Sequence, residues 1–437
     1  MYQFASMKSM DQSKTSFSRL FHWAEKYFKT DMRYLLKGSF WSILAQILST
    51  IISLLLAYVV SRYLSKEAYG TYKYVLSAVA FIATFSLNGL GTAVFQSTAR
   101  GYDGALKEGF WINLRWNALA FAGALALATY YFFAGNNTLA IGILVAGSLS
   151  PFLSSANLAA SFLSGKKDFK SQSIYFGWLG NGLPLVVLIA TIFITKDPLW
   201  LILIYCVTNT LTSWFFYLRT LSKYKPDSEK KDPGMLSYAK HLSAIGILGG
   251  VATTIDQVLL FHYVGAAGLA LYVFSISIID QAKGPLKNLD TMMQARFANH
   301  SNVRIRESMG NKFLWLTLTI VTCITAYILL APLLYRILFP AYLEAVPYSQ
   351  VYALSLLGLA FGPAGAYLIA KKKIREQYIT SIVGWIAQIG FVAVGVIWWG
   401  LWGLIFARLL SRLTIGILSY GMYRHASKGE DAETTST

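Results

Sequence analysis

The chain has 437 residues, 55% of them hydrophobic and only 13% charged, with a net charge of +18, and its mean hydropathy is +0.49. A soluble protein of this size is about a quarter charged, so a water-exposed globular enzyme is excluded. Apolar runs of about twenty residues separate the charges and match a ~30 Å hydrocarbon core, which defines an all-α polytopic membrane protein.

In chain order, residues 1–37 come first and differ from the runs that follow. Phe17, Leu20, Phe21, Ala24, Phe28, Met32 and Leu35 fall on one helical face, with Arg19, Lys26, Arg33 and Lys37 opposite. That pattern predicts an amphipathic helix lying at the cytoplasmic headgroup level. Spans are then expected at 38–61, 71–96, 110–133, 139–162, 174–195 and 199–218, forming a first six-helix lobe over 38–218. A polar linker at 219–238, carrying Pro226 and Pro233, leads to a second lobe over 239–423. Its spans are expected at 239–262, 269–290, 313–331, 348–370, 378–398 and 402–423, about twelve in all. The eighth turns polar after Ile279 and carries Gly284-Pro285, which predicts a kink. Residues 424–437 are short and polar and are expected to be a disordered cytoplasmic tail.

Lys and Arg set the orientation, because they accumulate in cytoplasmic loops. Alternate segments carry almost all of them, and the intervening ones hold only Arg62, Lys66, Lys73, Lys196 and Arg336. Both termini are therefore expected in the cytoplasm. The same asymmetry accounts for most of the positive charge, and no basic-aromatic surface domain exists to bind nucleic acid.

Two stretches are nearly the same. "LSGKKDFKSQ" from Leu163 and "LIAKKKIREQ" from Leu368 place Lys166-Lys167 on Lys371-Lys372, Lys170 on Arg375 and Gln172 on Gln377. At a similar offset, "YLSKEAYGTYKYVLS" from Tyr63 aligns with "YVGAAGLALYVFSIS" from Tyr263, pairing Tyr72 with Tyr272 and Ser77 with Ser277. Six spans return the chain to its starting side, so the two lobes are a parallel repeat about an axis along the membrane normal. Secondary transporters are built this way, with the substrate path between the repeats.

Other chemistries lack their residues. No GxxxxGK[ST] or HExxH occurs, and Cys206 and Cys323 sit singly in apolar runs, where burial as small hydrophobes is expected. No catalytic residue, metal or cofactor is assigned. The outer loops are short, and for a membrane glycan polymerase or ligase only Arg336 and Glu344 would be residues to test.

Ionisable groups inside spans each cost about 2.5–3.5 kcal/mol on insertion scales and call for a reason. Asp256 and Arg408 both lie roughly 9 Å below the outer ends of their spans, and Asp280 and Arg412 roughly 15–16 Å below theirs, at ~1.5 Å per residue. Arg408 and Arg412 are four apart and share a helix face. Two readings stay open: buried salt bridges that pack the second lobe, or a polar cavity. In the second, the arginines hold an anionic headgroup and Asp256 or Asp280 exchanges a proton or sodium ion. Arg115, flanked by Trp111 and Trp116, either snorkels to the interface or joins Lys283 and Lys287 at a cytoplasmic entrance for a pyrophosphate. Gln46, Asn88, Asn117, Asn157 and Asn181 either line a cavity or bond between helices.

The stretch Gly38 to Arg100, with its Gly-Ser start, the "LSKEAYGTY" turn at Leu64 to Tyr72 and "GLGTA" at Gly89 to Ala93, resembles the opening of the polysaccharide-biosynthesis (Wzx-type) flippases. These belong to the multidrug/oligosaccharidyl-lipid/polysaccharide exporter superfamily. "IDQVLLFHYVGAAGLALYVFS" is similar to that family's seventh-to-eighth helix pair, and "LFPAY" at Leu338 to Tyr342 to its outer loop. The resemblance implies a MATE-like fold of two lobes in a bacterial or archaeal cytoplasmic membrane. It also implies alternating-access transfer of a polyprenyl-pyrophosphate-linked oligosaccharide, with membrane lipids and polysaccharide assembly proteins as partners and a proton or sodium gradient as the candidate driving force. A cation-coupled drug antiporter of the same superfamily is the alternative.

Overall fold

A computed structural model describes residues 32–298 and 302–434. The amphipathic segment expected at 1–37 lies outside them, apart from residues 32–37, which open the first helix.

The described residues form helices throughout. In the first lobe these are α1 (Met32–Tyr63), α2 (Lys66–Ala83), α3 (Leu90–Ala99), α4 (Ala105–Phe133), α5 (Asn137–Gly165), α6 (Phe169–Ile194) and α7 (Pro198–Tyr224). The second lobe has α8 (Met235–Val264), α9 (Ala266–Ala298), α10 (Asn302–Leu338), α11 (Pro340–Ala370) and α12 (Ile374–Thr434). Short polar side chains start them where the chain re-enters apolar surroundings. Ser65, Asn136, Asp168 and Asp197 each accept a backbone N–H of the helix that follows, satisfying donors that have no partner within the first turn.

Among the described residues nine segments are long and apolar enough to cross a membrane. Three further passages escape that count for physical reasons. The expected second span is broken into α2 and α3 by residues 84–89, where Asn88 turns back to the Thr84 carbonyl (2.9 Å). In α9 only Ala266–Gln281 is strongly apolar, and the helix continues through Gly284-Pro285 to Ala298. In α12 the chain reverses at Gly400, whose φ of 56° suits glycine. The turn brings Gly395 against Gly403, so close that a Cβ on either would strike the other's backbone. Eight residues of continuous helix would separate them by ~12 Å. The architecture is thus twelve passages in two six-helix lobes.

The two basic loops fold alike, hydrogen bond for hydrogen bond. Lys166 donates to the Phe162 carbonyl and Lys371 to that of Tyr367, both at 2.9 Å. Asp168 donates to Leu163 and Lys373 to Leu368, again at 2.9 Å. Lys167 and Lys372 take the left-handed conformation that ends each helix, at φ 60° and 53°. The sequence repeat is a structural repeat.

The tail expected to be disordered instead prolongs α12 to Thr434. Adding residues to an existing helix avoids the nucleation cost, and Tyr423 and Ala426 are buried against Phe297, Met309 and Tyr367. Cys206 is buried, but Cys323 on α10 is not covered by protein. In a bilayer an apolar side chain gains nothing from protein burial over lipid, so the expected burial does not follow from its apolar surroundings.

The lobes meet along α2, which packs on α8 and α9, and along α3, which packs on α8. At the end where α2 and α9 begin, contact is tight. A Cβ on Gly70 would strike the Ala266 carbonyl, Tyr69 lies 5.5 Å from Phe274, and Phe274 stacks on Tyr342 at 3.7 Å. Ser61 bonds the Leu338 carbonyl (3.0 Å), and Lys66 pairs with Glu344 (2.8 Å). That pairing occupies the Glu344 carboxylate.

Candidate functional site

The depth matching seen in sequence is realised as two three-membered circuits. α8 supplies Asp256, α9 Tyr272, and the second passage of α12 Arg408. Asp256 Oδ2 accepts from Arg408 Nη2, from Arg408 Nε (3.1 Å) and from the Tyr272 hydroxyl, which itself accepts from Arg408 Nε at 3.2 Å. Asp256 is 0% exposed, and its Oδ1 has no hydrogen-bond partner among the described residues.

One turn further along α12, Arg412 does the same with Asp280 of α9 and Tyr352 of α11. Arg412 Nη2 lies 3.6 Å from Asp280 Oδ1, while the Tyr352 hydroxyl donates to that oxygen and accepts from Arg412, each at 3.1 Å. This circuit is looser and more open, with side-chain exposures of 31% and 42% for Arg412 and Asp280. A guanidinium whose carboxylate contact is long and half exposed can exchange partners; one sealed against a fully buried carboxylate cannot do so without leaving that charge unpaired.

The entrance expected from Arg115, Lys283 and Lys287 is not decided by the described residues. Arg115 is exposed on α4 of the first lobe, and the side chains of Lys283 and Lys287 lie outside the described residues.

A cavity of about 450 Å³ lies at the lobe interface, lined by α1, α6 and α7 of the first lobe and touched by the second lobe through Gln281 of α9. Its polar lining comes from Gln46, Ser49, Thr50, Gln172, Asn181 and Gln281, with Tyr205 beside them. Thr50 and Gln281 approach across the lobes at 3.4 Å. The walls are hydroxyls and amides, which bond sugar hydroxyls in either sense. Gln46 and Asn181, legible in the sequence as cavity candidates, line it, whereas Asn88 and Asn117 do not and bond within the first lobe. The α6 wall carries a wide helical turn over Ser173–Leu179, an irregularity that recurs at functional sites.

Sequence reasoning misses Lys73. Counted in sequence with the outer segments, it lies within α2, seven residues past its start, ~10 Å along the helix. Its ammonium sits over Tyr69 and Tyr72, at 5.6 and 5.8 Å from the ring centroids, and Tyr72 packs edge-on against Tyr205 of the cavity (5.7 Å). Among the described residues no carboxylate pairs with it. Counting it with the loop, although it lies just inside the expected span 71–96, conceals it.

The fold defines a two-lobed, multi-pass membrane protein. The family described as "Polysaccharide biosynthesis protein" matches residues 35–279, more than half of the chain, and the protein belongs to it. No curated protein sequence matches the chain.

Solved structures share the fold at low identity. One is an inward-facing conformation of a multidrug resistance MATE family transporter of the MOP superfamily, at TM-score 0.68 and 14% identity, covering 89% of this chain and 98% of that one. A MOP superfamily transporter from Pyrococcus furiosus, described as having a binding pocket of reverse polarity, gives TM-score 0.63 at 15% identity, covering 90% and 95%. The lipid II flippase MurJ in an inward closed conformation gives 0.61 at 12% identity, covering 86% of each chain.

Proposed function

We propose that the protein moves a polyprenyl-pyrophosphate-linked oligosaccharide from the cytoplasmic to the outer leaflet of a bacterial or archaeal cytoplasmic membrane, by alternating access of its two lobes. The observation that carries this reading is the uncharged, hydroxyl- and amide-lined cavity that opens on the first lobe where Gln281 of the second lobe meets it, in an otherwise apolar bundle. Sugars cannot cross hydrocarbon without such partners, because each unpaired polar group costs several kcal/mol there. The prenyl tail stays in the bilayer, so no covalent step is needed. Family membership and the fold shared with a lipid II flippase support the same class of cargo.

In this reading both termini and the basic loops face the cytoplasm. Arg412, loosely held, releases Asp280 to meet the anionic headgroup, and Lys73 offers a further positive charge. Asp256, with one oxygen unpartnered, is the candidate for a proton or sodium ion that couples transport to a gradient. Membrane lipids and assembly proteins that build or consume the glycan are the expected partners. A drug-cation antiporter would want carboxylates in the cavity, and the lining residues are uncharged.

The test is deletion of the gene in its host with mass spectrometry of polyprenyl-linked intermediates. One complete lipid-linked oligosaccharide should accumulate and disappear when the gene is restored. Sensitivity to cationic drugs with no accumulated intermediate would replace this reading with the antiporter.

A further inference from the structure

The first lobe carries a second cavity, of about 530 Å³, between α6 and α7; unlike the interlobe cavity it is lined by residues of these two helices alone. Its wall is formed by Leu183, Leu211, Phe215 and Leu179, and it ends at Tyr175 and Arg219. Leu211 and Phe215 are 63% and 57% uncovered by protein. From Leu211 to Arg219 is eight residues, so the apolar floor runs ~12 Å before reaching the charge.

Arg219 is anchored but not satisfied. Its Nε donates to the Tyr175 hydroxyl at 3.0 Å, and Tyr175 is itself held flat against Phe216, with centroids 4.8 Å apart and planes 10° apart. Neither Nη group bonds any described residue. Asp168, at the start of α6, is already taken by Lys223, Tyr224 and the Ser171 N–H. The groove therefore presents an oriented guanidinium at one end of acyl-chain-sized apolar walls. The wide turn of α6 builds both surfaces, placing Ser173 and Gly177 in the interlobe cavity and Tyr175 and Leu179 in the groove.

We propose that this groove binds an anionic glycerophospholipid of the adjoining leaflet, its phosphate on Arg219 and one acyl chain along Leu183, Leu211 and Phe215. Charge complementarity selects an anionic headgroup. The apolar wall selects a lipid over free phosphate, and the position outside the interlobe path separates this lipid from the transported one.

The test uses the full-length protein in nonionic detergent, incubated with phosphatidylglycerol or with phosphatidylcholine of the same acyl chains and read by native mass spectrometry. Phosphatidylglycerol should be retained at least fivefold over phosphatidylcholine. Arg219→Gln should lose one bound phosphatidylglycerol per protein, and Leu211→Trp, which fills the groove at an uncovered position, should lower retention of both lipids. Equal retention of the two lipids, or undiminished phosphatidylglycerol on Arg219→Gln, would overturn the assignment.

Discussion

Arg408 and Arg412 stand one helical turn apart on α12 and close the same kind of aspartate–tyrosine–arginine circuit, yet only the first is sealed. The Asp256 that receives Arg408 is wholly buried, while Asp280 opposite Arg412 is 42% exposed. The first pair is shut away from any cargo as it stands, and the second is open to its surroundings.

Arg408→Ala should unfold the second lobe readily. Removing one partner of a buried pair costs about 3–5 kcal/mol, because the remaining charge stays buried and uncompensated. Thermal unfolding in detergent should show a large loss, partly recovered in the double variant with Asp256→Asn. A singly substituted protein as stable as the parent would deny the pair its structural role.

Arg412→Ala should behave differently. The circuit it leaves is half open to the surroundings, so membrane abundance should stay near the parent level while transport falls at least tenfold. Abundance by quantitative blotting and transport by glycan export separate the two effects. Full transport at normal abundance would rule out contact with the headgroup.

The loop between α5 and α6 carries a pH-dependent element. Partial burial alone would raise the Asp168 carboxyl, but hydrogen bonds from Lys223, Ser171 and Tyr224 outweigh it and hold the pKa at about 2. A depressed acid contributes stability above its unfolded value, ~4, and loses it as pH falls toward 2. The stability difference between parent and Asp168→Asn should be greatest at neutral pH and shrink between about pH 4 and pH 2. A difference independent of pH would mean the carboxylate charge contributes nothing.

The closed end of the lobe interface depends on Gly70. A leucine there would collide with the Ala266 carbonyl, and backbone cannot step aside as a flexible side chain can. Gly70→Leu should separate the lobes, seen as a longer distance between spin labels placed at the solvent-accessible ends of the Lys66–Glu344 pair. The ion pair itself, being exposed, is worth under about 1 kcal/mol and should not hold the gap shut. An unchanged distance with intact transport would mean this contact is not part of the cycle.

Much of this architecture is legible in the amino-acid sequence. The basic loops align because each must end one helix and start another in the same way, and Lys167 and Lys372 show it in their backbone angles. Asp256 and Asp280 find Arg408 and Arg412 because the cost of an unpaired charge in a membrane forces pairing at equal depth. The cavity is harder to see. Ser49, Thr50 and Gln281 read equally well as interhelical glue, and only helix neighbours decide between the two. Lys73 is lost for a related reason: it stands just inside the expected span 71–96 and is counted with the loop beside it. The fate of the tail after Arg424 turns on packing by Tyr423 and Ala426, which local polarity does not report.

The most direct measurement is transfer of the cargo itself. Purified protein reconstituted into liposomes, with a fluorescent polyprenyl-pyrophosphate oligosaccharide from the host, should expose the sugar on the opposite leaflet within minutes, as read by a membrane-impermeant glycosidase. Ser49→Trp, which fills the interlobe cavity, should abolish that exposure at equal protein content. Equal rates in parent, Ser49→Trp and protein-free liposomes would contradict the account.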